Sequence, residues 1–321
     1  MDYSNDNVIE WNYNEEDISE KYHFFNVLKD GRIHVFDPRE AGSLKIPPSD
    51  DVATGVKIKD VMISDTVAAR LFLPPQSAVA GKVPLLFYAH GGAFCMYSPF
   101  SVDYTRLLTN YVAEFNVVAV SVAYGLFPAH PGGCYDDSWV GLQWVASHGD
   151  PESEIFKLGK CEPWISDHAD LSRVFIGGDS GGANISHAMM RNVRKQGLNE
   201  NVKIEGMILV HPYFGDNDKQ WMRMCPINEG PNDPRMKPAL EDLAALSCDR
   251  VLVFLAEIDF LRDAGVKYVE ELKKSGWNGV LEGLENKGKE HNFHITNYMD
   301  EEAILINQKI KSFIHYEKVN N

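Results

Sequence analysis

No apolar stretch in this sequence approaches the ~20 residues that cross a bilayer, so no membrane-spanning helix is expected. A cysteine framework is also missing. The five cysteines, Cys95, Cys134, Cys161, Cys225 and Cys248, are odd in number and scattered, with no Cys-x-x-Cys and no Cys/His ligand spacing. This excludes a disulfide scaffold and a conventional zinc module, and the expectation is reduced thiols. Basic charge is scarce. Lys and Arg total 31 against 46 Asp and Glu, a formal net charge of -15, which argues against nucleic acid as a partner. The first residues, Met1-Asp2-Tyr3-Ser4-Asn5-Asp6, lack the basic and apolar regions of a secretory signal. A cytoplasmic protein is expected, with the nucleus as an alternative. Internal repeats and low-complexity segments are absent as well.

What is present suits one large α/β domain: 321 residues, 44% of them hydrophobic. Apolar β-prone runs at 85–89, 117–122, 174–176, 204–210, 250–256 and 279–284 alternate with helical patterns at 103–115, 136–147, 183–194, 263–274 and 300–315. That rhythm predicts a parallel, doubly wound sheet with helices on both faces. Two antiparallel strands are expected at 56–63 and 67–73. In the N-terminal segment, residues 1–50, Phe24, Phe25 and Leu28 fall at helical spacing, ahead of a turn at Lys29-Asp30-Gly31-Arg32. The interval 212–246, rich in Trp, Met, Pro and Gly, breaks the rhythm and reads equally as a lid or as a surface loop.

The chemistry centres on Gly178-Asp179-Ser180-Gly181-Gly182, a Gly-x-Ser-x-Gly motif between an apolar run and a helical one. In that strand–turn–helix context the serine is presented at the strand's end as a nucleophile, and the Gly181 backbone N–H faces a forming oxyanion. Further N–H donors are expected from Gly92 and Ala93 in the loop His90-Gly91-Gly92-Ala93-Phe94, which also follows a buried strand. Serine needs a base, and the base needs an acid. Downstream, Glu257, Asp259 and Asp263 follow a strand, and Asp259 is the favoured acid. His291 and His294 in Glu290-His291-Asn292-Phe293-His294 are both candidates for the base, with His291 favoured.

These motifs resemble the plant carboxylesterases of the hormone-sensitive-lipase-like branch of the α/β-hydrolases. The likeness runs over nearly the whole chain. It includes Thr54-Gly55-Val56, Lys59-Asp60-Val61, His90 to Phe94, Gly178 to Asn184, Ala256 to Asp263, and His291-Asn292-Phe293-His294. The resemblance implies an α/β-hydrolase fold in which a mostly parallel sheet is flanked by helices, with a cap formed by residues 1–50 and 212–246. It implies Ser180, Asp259 and His291 as triad, Gly92, Ala93 and Gly181 as oxyanion donors, and a non-catalytic His294. Neither a metal nor an organic cofactor is implied. The implied partner is a small-molecule substrate, with monomer and homodimer both open. Departures accompany the likeness. Ala93 replaces a glycine, and Gly125 and Ala129 replace the Arg and Glu of the family's Tyr-Arg-Leu-Ala-Pro-Glu-His, which suggests a specialised enzyme. The expectation is a serine esterase acting on a small specialised plant metabolite through an acyl-enzyme. Leu142 to His148 and Lys274-Ser275-Gly276-Trp277 are similar to segments of alkaloid cyclases, which makes a lyase or cyclase the alternative. A hormone receptor is a further one, disfavoured because the triad histidine is kept.

Overall fold

Continuous aliphatic and β-branched runs are what strands buried on both faces require, and here they pair into one large sheet. The computed structural model describes residues 3, 12–36, 43–75, 81–216 and 218–316. Residues 1–2, 4–11 and 37–42 of the expected cap, and Asn217 of the 212–246 interval, lie outside the described residues. Near the N-terminus, β1 (Ile18–Lys21), β2 (Phe25–Leu28) and β3 (Ile33–Val35) form a small antiparallel sheet. The large sheet has eight strands. These are β4 (Lys57–Met62), β5 (Ala68–Leu73), β6 (Val83–Ala89), β7 (Val118–Ala123), β8 (Ala169–Asp179), β9 (Ile204–Val210), β10 (Arg250–Ala256) and β11 (Val280–Asn286). Their order is β11-β10-β9-β8-β6-β7-β5-β4. Strands β6 to β11 run parallel, while β5 and β4 add antiparallel at one edge. Pro84 sits inside β6 at a register shift in its pairing with β8, where its missing N–H leaves the ladder least disturbed.

Helices cover both faces. One face carries α2 (Gly133–Ser147), α5 (Gly181–Gln196) and α8 (Arg262–Lys274), whose Leu142, Val145, Ile185, Met189 and Leu272 join the larger core. The other carries α1 (Val102–Phe115) and α10 (Glu301–Ile314), with Leu108, Tyr111, Ile306 and Ile310 in the second core. Short helices α3 (Glu154–Lys157) and α4 (Pro163–Ser166) lie between α2 and β8, and α9 (Phe293–Thr296) precedes α10. Arg70 of β5 is fully buried. Its guanidinium donates to both oxygens of Asp60 at 2.8 Å and to Thr105 Oγ1 at 2.6 Å, so the charge is paired and hydrogen-bonded as burial demands.

Two regions differ from the sequence pattern. The helical spacing of Phe24, Phe25 and Leu28 does not mark a helix: Phe24 lies in the bend before β2, and Phe25 and Leu28 are the two ends of β2, which is buried along its whole length and pairs on both sides. A strand buried on both faces shows no alternation to set against the helical spacing, and the turn at Gly31 (φ 86°) folds β3 back onto β2. The polar Asp170-Leu171-Ser172-Arg173 is part of β8 rather than a lead-in to it.

The interval 212–246 contains α6 (Lys219–Met224), a 3₁₀ turn and α7 (Leu240–Ala244), and it is anchored to the body. Trp221 is 1% exposed, and its Nε1 donates to Tyr135 Oη at 2.9 Å. Truncating a side chain of this size and burial typically costs about 3–5 kcal/mol. Asn184 of α5 donates to the carbonyls of Tyr213 (2.9 Å) and Arg235 (2.7 Å), tying two points of the interval to α5.

Candidate active site

Parallel strands bring their C-terminal ends to one edge, and the loops leaving that edge carry the chemistry-bearing residues. Ser180 follows β8, His90 to Phe94 follow β6, Asp259 follows β10, and His291 follows β11. These four strands lie within the run β11-β10-β9-β8-β6. Ser180 takes φ 52° and ψ -120°, a conformation that L-residues avoid unless the surroundings impose it. Those surroundings are tight: a Cβ on Gly182 would lie 2.0 Å from the Ala89 carbonyl oxygen. Only glycine lets α5 start this close to the end of β6.

Ser180 Oγ lies 2.9 Å from His291 Nε2, and His291 Nδ1 lies 2.7 Å from Asp259 Oδ2. A neutral imidazole carrying its proton on Nδ1 donates to Asp259 and accepts the serine hydroxyl on Nε2. Asp259 Oδ1 also accepts the Leu261 N–H at 2.8 Å. Burial raises the Asp259 carboxyl, but the hydrogen bond and charge of His291 outweigh it, so it sits below the ordinary carboxylate range. The competing acids are elsewhere. Glu257 pairs with Lys287 and the Gly288 N–H at the surface, and Asp263 is exposed beside Arg262. His294 is buried edge-on to His211, and its ring nitrogens have no hydrogen-bond partner among the described residues. Burial, then the neighbouring His211 and His291, push it well below the usual imidazole range, so it stays neutral.

The first loop turns sharply. Gly92 has φ 97°, and its carbonyl accepts the N–H groups of Cys95 (3.0 Å) and Met96 (2.9 Å). Ala93 follows at φ 48°. Among the described residues, no acceptor takes the backbone N–H of Gly92, Ala93 or Gly181. A cavity of about 220 Å³ opens here, lined by Ser180 and His291, by Gly92, Ala93, Met96 and Tyr104, and by Phe24 from the bend between β1 and β2. Among the described residues of 212–246, none lines it. They reach it indirectly, through Gln220 Oε1, which accepts the Phe24 N–H at 3.1 Å. Gly125 is required by local packing, because a Cβ there would lie 2.7 Å from His130 Cβ and 3.1 Å from Asp137 Oδ2. An arginine at that position would displace both.

Sequence reasoning missed three neighbours of the triad. His211, strained at φ 47° and 1% exposed, accepts the Asn292 N–H on Nδ1 at 3.1 Å. Burial first, then the charge of His291, lowers it to about 4. Asn292 and Asp179 both lay inside motifs already singled out, but spacing did not reveal their roles. His211, Asp259 and His291 place potential metal ligands within 4.8 Å of one another. The triad hydrogen bonds and the Asn292 N–H already engage these groups.

Residues 86–221 and 215–295 match the sequence profile of a family described by its alpha/beta hydrolase fold. A 2-hydroxyisoflavanone dehydratase of Glycyrrhiza echinata is 36% identical over 312 residues, covering 90% of this chain and 93% of that protein. Probable carboxylesterase 13 of Arabidopsis thaliana is 38% identical over 327 residues, covering 91% and 96%. Among solved structures, an esterase of Pyrobaculum calidifontis superposes with a TM-score of 0.63 at 23% identity, over 80% of this chain and 84% of that one.

Proposed function

The chain belongs to the plant carboxylesterase family of α/β-hydrolases, and from that membership we propose that it is a serine carboxylesterase acting on an ester of a small, specialised plant metabolite. One observation carries the reading. The linked Ser180, His291 and Asp259 meet a cavity lined by Ser180, His291, Gly92 and Ala93, and the backbone N–H groups of Gly92, Ala93 and of Gly181 next to Ser180 have no acceptor among the described residues.

In this reading Ser180 Oγ attacks the ester carbonyl as His291 takes its proton, and Asp259 stabilises the imidazolium. The N–H groups of Gly92, Ala93 and Gly181 receive the negative oxygen of the tetrahedral intermediate, each such donor being worth roughly a hundredfold or more in rate. His291 then protonates the leaving alcohol, and water repeats the cycle on the acyl-enzyme. No metal or organic cofactor enters these steps. The cavity of about 220 Å³ favours a short acyl group.

The first test is p-nitrophenyl acetate hydrolysis by wild type, Ser180→Ala and His291→Ala. The reading requires wild-type turnover and losses on the order of 10⁴-fold or more in both variants. An inert but folded wild type would sink it. A second reading, elimination or cyclisation without an acyl-enzyme, draws support from the similarity to a protein named as a dehydratase. It predicts turnover of a rearranging substrate that survives Ser180→Ala.

A further inference from the structure

We propose that Asp179, the residue before Ser180, is a positioning residue. This one buried carboxylate holds the oxyanion loop and the histidine loop against the nucleophile elbow together. The kinetic part of the argument rests on the serine-hydrolase reading above.

Asp179 is fully buried. Its Oδ1 accepts from Tyr88 Oη at 2.9 Å, and its Oδ2 accepts from Tyr104 Oη at 2.8 Å and from Asn292 Nδ2 at 2.8 Å. Each of the last two partners leads to a working loop. Tyr104 Oη in turn accepts the Gly91 N–H at 2.8 Å, immediately before the oxyanion donors Gly92 and Ala93. Asn292 directly follows His291 and holds φ 53°. Gly91 lies on the carboxylate itself, since a Cβ there would fall 2.2 Å from Asp179 Oδ2. Tyr104 and Asn292 line the cavity, so the carboxylate stands behind its wall.

The three side chains that donate to Asp179 are neutral, which is a costly way to bury a charge. Burial pushes its carboxyl up to about 6, while the Tyr104 and Tyr88 hydroxyls and the His291 charge restrain the rise. The titratable groups facing it are Tyr88 from β6, Tyr104 and Tyr111 from α1, Tyr124 after β7, and His291. Burial raises all four tyrosines, so they remain neutral. Protonation turns one acceptor site of the carboxyl into a donor, and three donors are then no longer matched.

The experiment compares wild type, Asp179→Asn, Tyr104→Phe and the double variant on p-nitrophenyl acetate from pH 5 to 8.5. Asp179→Asn is expected to lower kcat about 10²-fold at pH 8 with KM within about threefold, because a small misplacement of reacting groups costs that much. The wild-type-to-variant ratio is expected to shrink toward one below pH 6, where wild type also carries a neutral group. A merely structural role would leave that ratio flat with pH. The double variant is expected to be no worse than Asp179→Asn alone, because the two residues form one tether. A flat ratio, or additive losses, overturns the proposal. Should Asp179→Asn not fold, Tyr104→Phe and Asn292→Ala decide, and kcat within twofold of wild type in both overturns it. Should wild type hydrolyse no ester, the serine-hydrolase reading fails, and positioning is then judged by amide hydrogen exchange at Gly91 and Asn292. Protection reduced tenfold or more in Asp179→Asn or Tyr104→Phe supports it, and unchanged protection overturns it.

Discussion

The two ends of the parallel strands treat backbone strain in opposite ways. At the C-terminal ends Ala93, Phe94, Tyr97, Ser180, His211 and Asn292 all have φ between 47° and 65°. At the other ends, where helices hand the chain back to the sheet, positive φ falls on Asn116 after α1, Gly197 after α5 and Gly276 after α8. Glycine and asparagine take left-handed helix caps at little cost. Alanine, phenylalanine, tyrosine, serine and histidine do not, at roughly 1–2 kcal/mol per residue. The chain therefore uses only tolerant residues at these helix ends, where it only has to turn, and adds strained ones to Gly92 and Asn292 where an N–H or a side chain has to be aimed.

That contrast can be broken or sharpened in graded steps. The largest effect is expected from Asp259→Asn, which leaves the backbone intact but removes the anion that holds His291. The rate should drop on the order of 10⁴-fold by p-nitrophenyl acetate assay. A loss under tenfold would mean that loop geometry alone orients the histidine. Gly92→Ala comes next. With φ 97° and a Cβ that would lie 2.3 Å from the Met96 carbonyl oxygen, the loop after β6 has to shift. A loss of about 10² in kcat is expected, with KM little changed; an unaltered kcat would show that the donors lie elsewhere. Ala93→Gly relieves a strained residue at the cavity wall. Thermal denaturation should show a gain of no more than about 1 kcal/mol, strain relief being partly offset by unfolded-chain entropy. The kcat/KM ratio of p-nitrophenyl butyrate to acetate should rise severalfold, whereas an unchanged ratio would mean that the methyl does not face the acyl group. Asn116→Gly is the smallest and serves as the control. Stability should stay within about 0.5 kcal/mol and activity should be unchanged. An activity loss there would erase the distinction between the two ends.

Much of this site was legible in advance because its signals are local. A glycine-flanked serine between strand and helix, and a glycine-rich loop after an earlier strand, are each encoded within a few residues. The N-terminal segment hides its strand because β2 is buried on both faces and so shows no period of 2 to set against the helical spacing. Pairing with β1 and β3 decided it. The 212–246 interval showed its irregularity but not its anchorage, which depends on Tyr135 and Asn184 from two other helices.

By itself, then, the sequence determined the strand–helix alternation, the elbow, and the serine–acid–histidine order, because hydrophobic period and turn chemistry are properties of short stretches. Only the tertiary structure decided which carboxylate meets the histidine. Glu257, Asp259 and Asp263 lie within seven residues of one another and share similar chemistry, and it is the turn after β10 that leaves the Asp259 side chain 1% exposed while Glu257 and Asp263, the latter in the first turn of α8, face solvent. It also decided what Asp179 does. Its partners are 91, 75 and 113 residues away along the chain, and only the order of strands in the sheet brings them to one carboxylate.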